Sequence, residues 1–243
     1  PLEQVDFGTP GMNQRQRYPR WFKNSCNYLL EHFNQPRNFD EWIYLMQIHQ
    51  ARAINCAVGW FRSQYPNCTG LLYWQINDCW PVYSWSAIDG GGRKKPLYHA
   101  TRRFFTDRFM TIEPDGDTLA VFAHNDSDRI WQGTADLKRM DFSGEILAQS
   151  IFDFSISPRS CVKIAVMDEN FICPSDKSLE LLYVTDGSVS DTWFFDIDKN
   201  LDYPRADFEC QLVKSRSVYE LNITAKSLLR DIVLTPERLD HKA

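Results

Sequence analysis

The sequence predicts two textures in one chain: an α/β segment of barrel type to about residue 108, then an all-β region of sandwich type. Three observations carry this. Leu71, Leu72, Tyr73 and Trp74 form a short apolar run, the pattern of a strand buried on both faces. A long amphipathic helix precedes that run with only a short connection between them, as in αβ units. Beyond Phe109, short runs of period two alternate with turn residues, as in an antiparallel sandwich.

Residues 1–14 carry Gly, Pro and polar groups without a period and read as a loop. Trp21, Phe22, Tyr28, Leu29 and Phe33 then suggest a helix, ended by Asn34-Gln35-Pro36. A second helix is better marked. Asn38 with Glu41 three residues on makes a capping box. Phe39, Trp42, Ile43, Met46, Ala53, Ala57, Trp60 and Phe61 recur near the helical period as far as Tyr65. Such a helix spans ~40 Å, enough to flank a barrel, and its continuous apolar face reads as packing surface.

Pro66-Asn67 ends this helix and a strand is predicted over 71–76. Asp89-Gly90-Gly91-Gly92 reads as a turn, since it lacks the Lys-Ser/Thr and the strand–loop–helix spacing of a phosphate loop. Lys94 to Phe105 reads as a closing helix. Strands are then predicted over 118–124, 129–138, 145–154, 160–167, 179–185 and 191–197. Turn clusters at 125–128, 141–144 and 186–188 separate several of them. Tyr203-Pro204 reads as a linker, and 207–214, 217–224 and 228–235 as three further strands. Three strands are few for an independent sandwich, so the last domain is expected to be truncated.

The strand at 71–76 passes at once into Gln75, Asn77 and Asp78, followed by Trp80 and Trp85. In parallel α/β barrels ligands sit at the C-terminal ends of the strands. Indole faces stack on sugar rings, while amides and carboxylates suit hydroxyls, which makes this stretch a candidate carbohydrate site. The plainer reading stands beside it: tryptophans fill cores, and Asn77-Asp78 before Trp80-Pro81 makes a turn.

Gly70-Leu71-Leu72-Tyr73-Trp74-Gln75-Ile76-Asn77-Asp78-Cys79-Trp80-Pro81, followed by Ser84-Trp85-Ser86, resembles the strand-8 motif of family 2 glycoside hydrolases of the β-mannosidase type. Asp89-Gly90, Gly92-Arg93, Lys95-Pro96-Leu97-Tyr98 and Arg102-Arg103-Phe104-Phe105 resemble the same family's exit into its last barrel helix. The resemblance covers most of residues 12–243, strongly through Phe105. It implies the C-terminal part of a (β/α)8 barrel over 1–108, an immunoglobulin-like β-sandwich over 109–203 and a partial C-terminal β-sandwich over 204–243. It implies a retaining exo-β-mannosidase, acting through two glutamates on strands 4 and 7, and neither glutamate is expected in this chain. Asp6-Phe7-Gly8 echoes the nucleophile motif only loosely, with Asp in place of Glu. Gln14-Arg15-Gln16-Arg17-Tyr18-Pro19 resembles a segment that follows the nucleophile strand. Trp74 matches the tryptophan that walls the sugar subsite, and Gln75, Asn77 and Asp78 are candidates to bond the sugar or brace that wall. Trp80 and Trp85 suit packing between loop and sandwich better than sugar contact, and Arg93 and Lys95 are candidates for the rim, with a solvated helix start as the plainer reading.

Composition narrows the partners. A formal charge of −5 without any basic stripe argues against nucleic acid. No run of 18 apolar residues occurs, so no membrane-spanning helix is predicted. The seven cysteines show no metal-type or redox spacing and the five histidines are scattered, so neither metal nor other cofactor is expected. Asn67, Asn125 and Asn222 head Asn-x-Ser/Thr triplets, which fit a lysosomal or secreted protein if the source is eukaryotic. The chain opens at Pro1 without a methionine, which suggests an excised fragment. The expected partners are a β-mannoside and the remainder of the catalytic barrel. The alternatives are a non-catalytic carbohydrate-binding or scaffold module of β-sandwich type, and an all-β interaction protein.

Overall fold

The computed structural model describes residues 14–15, 21–215 and 218–234. Its elements run α1 (Trp21–His32), α2 (Phe39–Ser63), α3 (Pro96–Phe104), β1 (Arg108–Asp115), β2 (Thr118–Asn125), β3 (Trp131–Asp141), β4 (Ile146–Ile156), β5 (Ser160–Val166), α4 (Glu169–Ile172), β6 (Glu180–Thr185), β7 (Ser190–Phe194), a 3-10 turn (Asp198–Asn200), β8 (Phe208–Ser215) and β9 (Val218–Ala225).

Helix α2 starts where the sequence places it. Asn38 Oδ1 accepts from Glu41 N at 2.9 Å, which satisfies an otherwise unpaired donor of the first turn. The Glu41 carboxylate turns outward instead of closing the box, and accepts from Arg37 N at 2.7 Å. Trp42 and Ile48 in the first half of α2 bury against Leu29 of α1 and Phe33 just after it. Ala51 and Val58 further along bury against Leu97, Ala100 and Phe104 of α3. One helix thus joins two small cores, as a stripe wider than a single partner requires.

Two antiparallel sheets form the β region, one ordered β1-β2-β5 and the other β4-β3-β6-β7. Met110, Ile112, Val121, Trp131, Leu137 and Leu182 belong to one buried cluster between them. The Trp131 ring packs edge-on against Phe154, and its Nε1 donates to Asp186 Oδ2 at 3.0 Å. Asp141 and Asp186 order the turns after β3 and β6. Each accepts from main-chain N–H groups two residues and more ahead, with Gly144 and Gly187 at positive φ. Helix α2 meets this sandwich at Gly59, where an added Cβ would lie 2.4 Å from Glu113 Oε1. Arg62 follows, stacked over the Phe109 ring and paired with Asp126 at 2.6 Å.

Three expectations change. Residues 71–76 form no strand, and the β-bridges that follow them, Asn77–Ile88 and Ile88–Lys94, are isolated. Nor is the run buried on both faces. Leu71 and Tyr73 pack on the α2–α3 core, while Leu72 is 97% exposed, Trp74 72% and Ile76 62%. The alternation of an extended chain survives, but no described strand lies beside it to complete a ladder. Strand β1 was not foreseen, because Thr111, Ile112 and Glu113 are buried consecutively and break the period-two pattern. Residues 228–234 are not a strand either. They pass back over the helices, with Leu228 against Phe142, Leu181 and Leu201 and Val233 against the α1–α2 core. Strands β8 and β9 pair with each other in an isolated hairpin.

All seven cysteines are free thiols. No helix of the described residues is long and apolar enough to cross a membrane.

Candidate functional site

Residues 70–95 form a loop that closes on itself. Ile88 N donates to Ile76 O at 2.8 Å, Asp78 N to Ile88 O at 3.0 Å, and Ala87 N to Gln75 O at 3.1 Å. The returning arm is therefore zipped to the residues just after Trp74. At the base, Asp89 Oδ1 accepts from Gly91 N and Arg93 N, and Oδ2 accepts from Arg93 Nε at 2.7 Å. Gly90 is pressed so closely on Trp80 that an added Cβ would lie 2.4 Å from its carbonyl. Gly92 takes φ +83, which favours glycine.

Asp78 is the centre of this loop. Its side chain is fully enclosed, and Oδ2 accepts from Ser84 Oγ and Ser86 Oγ, both at 2.5 Å. Oδ1 accepts from Gln75 Nε2 at 3.1 Å, and the same Nε2 donates to Asn77 O at 2.8 Å. Lys95 Nζ lies 4.0 Å from Asp78 Oδ2 and donates to Ser86 Oγ at 2.9 Å. Burial pushes the Lys95 ammonium below its ordinary range, while the charges of Asp78 and Asp89 oppose that shift. A buried carboxylate with two hydroxyls, an amide and an ammonium is satisfied and holds the loop in one shape.

The four sequence candidates separate within this frame. Trp74 projects an open indole, and its peptide bond to Gln75 is cis. Gln75 and Asn77 turn their amides onto the loop, with Asn77 Nδ2 donating to Asp78 O at 3.3 Å. Asp78 faces inward. Trp80 is partly exposed, whereas Trp85 is half-buried and its carbonyl accepts from Gln50 Nε2 of α2 at 2.5 Å. Lys95 stands at the start of α3 as expected, but beneath the loop and largely enclosed instead of solvated. The bracing roles of Ser84, Ser86 and Lys95 went unassigned in the sequence. Their only signal was a pair of serines two residues apart facing the same buried acid. Asp6 lies outside the described residues. Among the described residues no three His, Cys, Asp or Glu side chains are grouped to hold a metal ion.

Chemically, the arrangement offers a flat aromatic face on a rigid mount. It can stack against the apolar side of a ring, while the carboxylate nearest to it stays committed to the loop.

No family model matches the chain. Among curated proteins, β-mannosidase B of Aspergillus niger is 33% identical over 106 residues, 37% of this chain and 13% of its own length. The β-mannosidase of Capra hircus is 32% identical over 100 residues, 38% of this chain and 11% of its own length. Among solved structures, the β-D-mannosidase of Dictyoglomus thermophilum superposes with a TM-score of 0.86 at 27% identity, over 93% of this chain and 28% of that one. An exo-chitosanase of Amycolatopsis orientalis superposes with a TM-score of 0.63 at 14% identity, over 85% of this chain and 28% of that one, a likeness of fold alone. In sequence and in fold the chain is similar to a segment of β-mannosidases. It spans only 13% and 11% of the length of these curated relatives and 28% of that solved chain.

Proposed function

We propose that the protein carrying this chain is a retaining exo-β-mannosidase that removes terminal, non-reducing β-D-mannose. Trp74 would supply the wall of the sugar subsite, on a mount that Gln75, Asn77 and Asp78 keep rigid. The supporting observation is the exposed indole of Trp74, followed at once by Gln75, whose amide bonds the enclosed Asp78 carboxylate of the acid–hydroxyl–ammonium cluster. Double displacement needs two carboxylates about 5–5.5 Å apart. In this reading both are glutamates outside the chain, and Asp78, already saturated by its own loop, takes no part in proton transfer.

The reading also assigns residues 1–108 to the end of the (β/α)8 barrel, with an immunoglobulin-like domain after it and a partial one from 204. The outward set Leu72, Trp74 and Ile76 would then face the other barrel strands, the expected partner of this segment. The test is hydrolysis of p-nitrophenyl β-D-mannoside by the full-length protein, with the Trp74→Ala variant alongside. Turnover is expected. Loss of the indole should lower kcat/KM about 30-fold, the equivalent of about 2 kcal/mol of transition-state stabilisation. Cleavage of only a β-galactoside or β-glucosaminide would overturn the substrate. Sugar binding without any turnover would favour the non-catalytic module.

A further inference from the structure

We propose that the cavity between α1, α2 and the 82–95 arm of the loop binds one pyranose ring of a β-linked mannose chain. The proposal rests on the glycosidase reading for its sugar and on separate residues for its site. The cavity holds about 340 Å³, at the lower end of the range for small-molecule pockets. That size admits a single ring with its substituents and excludes a large folded ligand.

Its lining has the two-sided character that a sugar ring has. Tyr28, Tyr83 and Trp85 supply aromatic surface, while the Gln47 amide and the Asp89 carboxylate, whose Oδ2 is shared with Arg93 Nε, supply hydrogen-bonding groups. Trp42, only 2% exposed, backs Tyr83 with ring centroids 5.3 Å apart and tilted by 38°, so the Tyr83 ring has a fixed support. Tyr28 is 58% exposed and forms the rim. A pyranose presents axial C–H groups on one side and hydroxyls around its edge, which matches an aromatic wall ringed by an amide and an acid. The lining carries one carboxylate and one ammonium, Asp89 and Lys95, so it has no net charge to draw a phosphate ester and suits a neutral ligand.

The wall is built to hold its form. Gln50 Nε2 pins the Trp85 carbonyl to α2 at 2.5 Å. Ser84 and Lys95, which also line the cavity, are tied through the Asp78 cluster to the residues that follow Trp74. A ring bound here and a ring stacked on Trp74 would therefore engage the same rigid loop.

The experiment is calorimetric titration of the full-length protein with β-1,4-mannotriose carrying sulfur linkages, which resist hydrolysis. Tyr28→Ala and Gln47→Ala, on two different helices, are compared with the parent after their thermal midpoints are matched. Each substitution is expected to weaken binding about tenfold. Unchanged affinity in both variants, or no binding by the parent, would overturn the proposal. Hydrolysis of p-nitrophenyl β-D-mannoside by the parent protein reads the glycosidase assignment separately. Binding that depends on Tyr28 and Gln47 without hydrolysis would keep the pocket and remove the enzyme reading.

Discussion

The Asp78 carboxylate and the Lys95 ammonium lie 4.0 Å apart, with Ser86 Oγ bonded to both at 2.5 and 2.9 Å. Seventeen positions separate them in sequence, with Trp80, Tyr83 and Trp85 strung between. A single buried ion pair thus ties the middle of the loop to its end at α3.

Replacing Asp78 by Ala would leave Ser84 and Ser86 without their shared acceptor and Lys95 without its counter-charge. Breaking a buried pair in this way costs about 3–5 kcal/mol. In a domain of this size that lowers the thermal midpoint by roughly 10 °C. Asp78→Asn keeps an acceptor and should cost less than half as much. Equal midpoints for Asp78→Ala and the parent would show that the cluster does not hold the loop.

Glu113 and Asp191 give the interface between α2 and the sandwich a pH dependence of definite sign. Burial pushes the Glu113 carboxyl up to about 7, with the Thr111 hydroxyl bond at 2.7 Å opposing and the Asp191 charge adding. Burial likewise pushes Asp191 up to about 6, against its bond from Ile112 N. A carboxyl with a raised folded pKa favours the folded state while protonated. That contribution is complete below the unfolded value near 4 and is lost as pH rises through 6–7. Glu113→Gln should therefore match the parent in urea denaturation at pH 4 and be the more stable at pH 8. A stability difference independent of pH would contradict it. His124 works in the opposite sense: burial, helped by Arg62, pushes it down to about 3, so its contribution is complete above about 6.5 and fades as pH falls. The comparison between variants isolates Glu113 from that background.

Asn125 heads an Asn-x-Ser triplet but is not available as an acceptor of glycan in the folded chain. It is fully buried and donates from Nδ2 to Arg129 O, Ile156 O and Ser157 O at 2.7, 3.1 and 3.1 Å. Asn67 and Asn222 are exposed. Expressed in a glycosylating host, the protein should show no glycan at Asn125 by mass spectrometry of its peptides, and Asn125→Ala should cost about 3 kcal/mol. Full occupancy at Asn125 would refute this placement.

Arg52 of α2 pairs with both Asp198 and Asp231, and Arg230 reaches Asp198 at 3.1 Å while stacking 3.6 Å over Phe194. Arg52→Met should raise hydrogen exchange in residues 228–234 well above that of β3 and β6. Uniform exchange across the chain would mean the network does not fasten that segment.

The legible parts of the fold were those whose signals are local. The start of α2 followed from Asn38 and Glu41, and the turns from Asp141 and Asp186. Strands β3 and β4 followed from side chains alternating between core and solvent. What escaped depends on partners far away in sequence. Leu71 to Trp74 are apolar enough for a doubly buried strand, yet apolarity cannot say which neighbours are present to cover Leu72 and Trp74. Glu113 fell in no predicted strand, because nothing nearby foretells a helix glycine resting on it. Residues 228–234 alternate well enough for a strand, but Arg230 and Asp231 are held by charges on α2 and at residue 198. At the loop, the indole was legible from residue type. The enclosure of Asp78 was not, because it depends on how the chain returns at Ser84 and Ser86.

The Arg52–Asp231 contact spans 179 positions, and this sets a clock on the ribosome. Chains emerge at about 5–20 residues per second, so α2 waits roughly 10–35 s for the acid that completes its charged face. Until then the nascent helix shows a half-neutralised guanidinium and an uncovered apolar groove, the interval in which a chaperone would find it.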